Sequence, residues 1–138
     1  QPPHCVARIR AGKWNAGVTN AGGAVPIELT ASQALGLWHG VSLDQVRHDD
    51  RDLTLRQMAI LLHIYLVPPP HTVRGLAAEL NVTKPVITRA LDTMGEMGLV
   101  DRVRDDSDRR NVLIKRTVGG ALYLEKLGDR VREHGRRL

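Results

Sequence analysis

The sequence predicts a mainly α domain with a small β-hairpin, arranged as a winged helix-turn-helix with flanking helices. Three observations carry that expectation. Residues 72–98 read as a short helix, a tight turn and a second helix. Two β-rich runs with a charged tip between them follow directly. Amphipathic helical patterns stand on both sides of this unit, so it has helices to pack against.

Residues 1–29 are rich in Gly, Ala, Asn and Pro and lack a helical period, so they read as a loosely structured N-terminal arm with turns at Asn20-Ala21-Gly22-Gly23 and Pro26. The domain itself is expected over residues 30–138. Thr30 suits the N-cap of a first helix reaching about Arg47, with Leu35, Leu37, Trp38, Val41, Leu43 and Val46 as a dense but imperfectly spaced apolar set. A charged break at 48–52 precedes a second helix, where Thr54 and Gln57 have capping-box spacing. Residues 55–66 are apolar nearly all round, which marks a central buried helix, and Pro68-Pro69-Pro70 stops it.

Thr72 is placed to cap a third, short helix with Val73, Leu76, Ala77 and Leu80 inward. After the turn Asn81-Val82-Thr83, a fourth helix is expected with Thr83 as its cap and Pro85 in its first turn. Its inward stripe is Val86, Ile87, Ala90, Leu91, Met94 and Met97, and Gly98 ends it. Residues 99–104 and 112–116 form the hairpin. Thr117 caps a last helix whose apolar side reads as Val118, Ala121, Leu122, Leu124, Leu127 and Val131.

The face of the fourth helix opposite its apolar stripe carries Lys84, Pro85, Thr88, Arg89, Asp92 and Glu96. Cations and a hydroxyl come in the first two turns and acids later. That polarity suits insertion of the helix N-terminus into a major groove, with Lys84 and Arg89 at phosphates or guanine edges and Thr88 at a base edge or thymine methyl. At the hairpin tip, Arg109 and Arg110 follow three aspartates. Asp108 paired with a neighbouring arginine would fix the loop and leave one arginine for the minor groove. A solvated helix face and a solvated turn are the plainer readings of each residue alone; the set together favours double-stranded DNA.

Composition narrows the alternatives. The 138 residues fit one domain, and 20 Lys and Arg against 15 Asp and Glu give a net charge of +5. A basic balance points to nucleic acid or an anionic membrane surface. Residues 82–117 hold eight cations against six acids, so charge by itself does not single out this segment. Aromatic residues make up 3% of the chain, too few for the stacking platforms of single-strand or RNA-binding modules. A single cysteine, Cys5, allows no intramolecular disulfide and suits a reducing, cytoplasmic setting. No apolar run is long enough to span a bilayer, and the Gln1 start lacks signal-peptide features and suggests a trimmed end.

The residues of the helix-turn-helix and wing together resemble the MarR family of bacterial regulators. The resemblance runs from Leu53-Thr54-Leu55-Arg56-Gln57 through Val73-Arg74-Gly75-Leu76-Ala77-Ala78-Glu79-Leu80 to Val86-Ile87-Thr88-Arg89-Ala90-Leu91-Asp92. It continues in Gly98-Leu99-Val100, Arg102, Asp105, Asp108-Arg109-Arg110, and Thr117 with Gly120, a little over half the chain. What it implies is a homodimer on a pseudo-palindromic operator, acting as a repressor by default and often released by a small ligand or oxidant. It implies Thr88 and Arg89 for the major groove and Arg109 or Arg110 for the minor groove. Family members usually dimerise through the first helix and two C-terminal helices. Here one such helix precedes Leu138, so the first and last helices are expected to supply the interface.

Other candidates are weaker. Trp38, His63 and Tyr65 could line a ligand cleft between the dimer helices and the winged domain, or serve as packing residues. Cys5 and His4 lack the partners of a redox or metal site, and His39, His48, His63, His71 and His134 are scattered; neither a metal nor a cofactor is expected. No phosphate loop or nucleophile elbow occurs, and Ser32, Ser42 and Ser107 lack an activating partner, so an enzyme is not expected. The alternative kept open is a winged-helix protein-protein adaptor or accessory factor that binds DNA weakly and without sequence preference.

Overall fold

A computed structural model of the chain describes residues 27–138, so the arm expected at 1–29 lies, but for its last three residues, outside the described part, as do His4 and Cys5. Five helices and one two-stranded sheet follow in order: α1 (Ala31–His48), α2 (Leu55–Leu66), α3 (Val73–Leu80), α4 (Lys84–Glu96), β1 (Val100–Arg104), β2 (Val112–Arg116) and α5 (Val118–Arg136). The mainly α winged helix-turn-helix with flanking helices is therefore the observed architecture.

Capping chemistry sets most of the helix starts. Thr30 and Thr54 each accept from the backbone N–H three residues on, while Gln33 and Gln57 return the bond to the cap N–H, two complete capping boxes. Thr72 and Thr117 accept from Gly75 and Gly120. Thr83 stands at the N-cap of α4 but makes no side-chain cap bond; Pro85 is tolerated in this first turn because its N–H would have no helical partner. Asn81 takes the left-handed conformation (φ 56°) between α3 and α4, and Gly98 (φ 74°) reverses the chain from α4 into β1.

The core is aliphatic. Ile60, Leu61 and Ile64 of α2 meet Leu76 of α3, Ile87, Leu91 and Met94 of α4, Leu99, and Ile114 of β2. The antiparallel wing pairs Val100 with Arg116 and Arg102 with Ile114. An isolated bridge from Thr72 to Leu113 and the amide of Ile114 donating to the His71 carbonyl (2.9 Å) fasten β2 to the turn before α3.

Two apolar faces differ from expectation. On α5 the buried stripe is Gly120, Tyr123 and Leu124 with Leu127 beside it, whereas Val118 and Leu122 are exposed. The run 118–131 is apolar on more than one side, and the helix turns toward the core the side where Gly120 permits close approach. On α1 only Val41 is buried; Leu35, Trp38 and Val46 face outward.

Candidate nucleic-acid interface

The exposed face of α4 is assembled by burial of the opposite one. Ile87, Ala90, Leu91 and Met94 are sealed against α2, α3 and β1, so helical geometry turns Lys84, Pro85, Thr88 and Arg89 to solvent in the first two turns. Neither Lys84 nor Arg89 takes part in an ion pair among the described residues. Asp92, one turn beyond Thr88, meets Arg102 of β1 at 2.7 Å. The late acid is thereby compensated, and the early cations stay available.

The wing tip is shaped by its aspartates. Asp105 accepts from the Ser107 amide (2.9 Å) and hydroxyl (2.7 Å), and these bonds, the hydroxyl first, hold its carboxyl below the usual range. The Asp108 carboxylate accepts from the amide (3.1 Å) and guanidinium (3.3 Å) of Arg110, and its carbonyl accepts from Asn111 (2.9 Å). Arg110 is thus the arginine bound to Asp108. Arg109 is exposed and in no ion pair among the described residues.

Behind the wing, Arg116 donates to the carbonyls of Ile64 (2.8 Å) and Val67 (2.9 Å), closing the C-terminal end of α2, and its burial lowers its affinity for the proton. His71 is buried, with Nε2 2.9 Å from the Val67 carbonyl. Desolvation pushes its pKa down, against the opposing effect of that bond. The ring of His63 meets His71 edge to face, centroids 5.4 Å apart.

A cleft of about 790 Å³ opens between α1, α2 and α5, with Trp38, Val46, Leu55, Met58, Leu127 and Val131 on its apolar walls. At its polar end Gln45 donates to the Tyr123 hydroxyl (3.0 Å), and the Arg51 guanidinium lies 4.6 Å from the Tyr123 ring centroid. Burial pushes the Tyr123 phenol up. Of the three residues expected at a ligand cleft, Trp38 lines this one. Tyr65 is 1% exposed, with its hydroxyl engaged by Leu99 and Thr117, and His63 faces His71 instead. Sequence reasoning missed Gln45, Arg51 and Tyr123. The signal was available for Tyr123, since residues 120, 123, 124 and 127 form one helical stripe.

Near the far end of α5, His134 Nε2 meets the Asp44 carboxylate at 2.6 Å, with Gly40 flush against the imidazole, and this bond lowers the Asp44 pKa. No group of three His, Cys, Asp or Glu side chains suited to a metal occurs among the described residues, and no described helix is long and apolar enough to cross a membrane.

Comparison with known proteins places this geometry in a family context. Residues 51–111 match the family model described as MarR family. The organic hydroperoxide resistance transcriptional regulator of Bacillus subtilis (strain 168) is 38% identical over 58 residues, which cover 42% of this chain and 40% of that protein. FabT of Streptococcus pneumoniae, solved in complex with DNA, superposes with a TM-score of 0.55 at 25% identity, covering 74% of this chain and 68% of that one. CouR of Rhodococcus jostii RHA1, solved bound to p-coumaroyl-CoA, gives 0.56 at 29% identity over 77% and 73% of the two chains.

Proposed function

We propose, on the match of residues 51–111 to the MarR family model, that the chain is a member of that family and a sequence-specific double-stranded DNA-binding transcriptional regulator, acting as a repressor. In this reading α4 enters the major groove with Lys84, Pro85, Thr88 and Arg89. The wing follows the minor groove with Arg109 and Arg110. The observation that carries it is the division of α4. Its first two exposed turns hold a hydroxyl and cations that are in no ion pair among the described residues, and its acid at Asp92 is paired from the wing. A helix face evolved only for solvent has no need of that order. The DNA-bound state of FabT supports the same use of the fold.

The protein acts as a homodimer in this reading. Leu35 on α1 and Val118 and Leu122 on α5 are large apolar side chains left in water outside the cleft, on the two helices that flank the winged unit. The cleft walled by Trp38, Met58 and Leu127 is the place for a small effector with an apolar body, its polar group toward Arg51 and Gln45. The bound ligand of CouR supports an effector of some kind.

The test is a fluorescence-anisotropy titration against a pool of genomic fragments at two salt concentrations, with selection of the bound fragments. Tight binding to one palindrome-like site that survives moderate salt is the expected result. Weak, steeply salt-dependent binding with no enriched site would instead mean phosphate contact alone and favour an adaptor role.

A further inference from the structure

The Asp92–Arg102 ion pair has a position that ordinary surface pairs lack. Among the described residues it is the ion pair that joins α4 to the wing, whereas Arg110–Asp108 closes within the tip. Asp92 lies four residues beyond Thr88 and three beyond Arg89, so it stands on the face assigned to the major groove, directly above them. Arg102 is at the middle of the hairpin, opposite buried Ile114, and shares a strand face with buried Val100. The pair therefore reaches from the middle of the wing to the exposed face of the helix.

Covalently, α4 and β1 are joined by one short turn at Met97 and left-handed Gly98. Leu99 and Val100, buried just after that turn, fix the near end of β1. The Asp92–Arg102 contact attaches β1 to α4 again further along the strand. Beside the attachments that β2 makes to the turn before α3 and to α2, this pair is the one among the described residues that ties the wing to α4 itself, the helix assigned to the groove.

We propose that Asp92 and Arg102 are positioning residues that set the pitch of the wing on α4, so that helix and wing engage their grooves together and the protein discriminates its site from bulk DNA. This rests on the DNA-binding reading above. Both side chains are partly exposed, 54% for Asp92 and 36% for Arg102, so the effect per protomer is modest.

The test compares the full chain with its Arg102→Gln and Asp92→Asn variants and the exchanged pair Asp92→Arg with Arg102→Asp. Each is titrated against the site enriched by the wild-type protein and against mixed-sequence DNA of equal length. Circular dichroism checks the fold first. The ratio of site to bulk affinity is expected to fall about threefold per protomer in both single variants, the scale of an exposed ion pair. It should fall even in Asp92→Asn, where loss of an acid raises bulk affinity. The exchange should restore the ratio. In Arg102→Gln, protection of guanine N7 from dimethyl sulfate should persist in the major groove while hydroxyl-radical protection under the wing weakens. Equal loss of site and bulk affinity in Arg102→Gln would make Arg102 a simple phosphate contact and overturn the proposal. So would an unchanged ratio, or an exchange that recovers nothing. A wild-type protein that enriches no site overturns the DNA-binding reading and this inference with it, and is recognised before any variant is compared.

Discussion

The amide of Thr117 donates to the hydroxyl of Tyr65 at 2.9 Å, across 52 residues of chain, and the same hydroxyl lies 2.9 Å from the carbonyl of Leu99. One buried oxygen on α2 thus ties the start of the wing to the start of α5. The Thr117 hydroxyl adds a bond to the Gly98 carbonyl (2.8 Å). Replacing Tyr65 by Phe keeps the ring and leaves the Thr117 amide and Leu99 carbonyl short of partners. The expected cost is about 1–3 kcal/mol, read as a lower urea midpoint at unchanged slope. A midpoint within error of wild type would mean that water replaces the hydroxyl.

Two glycines make opposite predictions. At Gly120 an added Cβ would collide with the Tyr65 hydroxyl and the Leu99 carbonyl, the latter being backbone and unable to yield cheaply. Gly120→Ala should destabilise by roughly 2–3 kcal/mol despite its better helix propensity. Gly95, near the end of α4, has nothing within 4 Å of the same position. Gly95→Ala should stabilise by up to about 1 kcal/mol. Thermal melts of the two variants check both signs.

Acid should weaken the fold through His71. Its folded pKa is depressed by burial, so the unfolded chain takes up the proton first. Above the unfolded value of about 6.5 both states are neutral and His71 adds no pH dependence. As pH falls below that value stability is lost, and the loss continues until the folded pKa is reached. His71→Asn should therefore flatten the fall in melting temperature between pH 7.5 and 5.5, measured by calorimetry. A parallel fall in both proteins would assign the acid sensitivity elsewhere.

On DNA, Arg89→Ala is expected to cost about 1–3 kcal/mol at the selected site and to relax base preference at one position. Arg109→Ala should weaken binding more evenly across sequences and reduce the salt slope by about one. If Arg89→Ala binds every sequence as the wild type does, the face of α4 has been misassigned.

The legibility of this fold in its sequence is uneven for physical reasons. Helix starts were readable because a Thr followed three residues on by Gln or Gly is a local signal, and four of the five N-caps make the bond that spacing suggests. The inward stripe of α4 was readable because its polar and apolar residues alternate cleanly at helical spacing. The stripe of α5 was not, since Val118 and Leu122 offer a competing apolar side and the deciding contact, Gly120 against Tyr65, is long-range. The candidate cleft was partly hidden for the same reason. Trp38 attracted notice as a large aromatic, but the meeting of Arg51 with Tyr123 joins residues 72 positions apart, which no local pattern reports.

The bonds at Tyr65 also give α5 the mechanics of a lever. The helix holds 19 residues, about 28 Å at the usual rise, and its first turn is pinned beside the wing. About 5° of tilt at such a fulcrum corresponds to roughly 2.5 Å of travel at the far end, where His134 grips Asp44. Run the other way, a displacement of several ångströms at α1 would reach the wing as a rotation of a few degrees. Such a linkage would convert coarse motion at one end of the molecule into fine adjustment at the other.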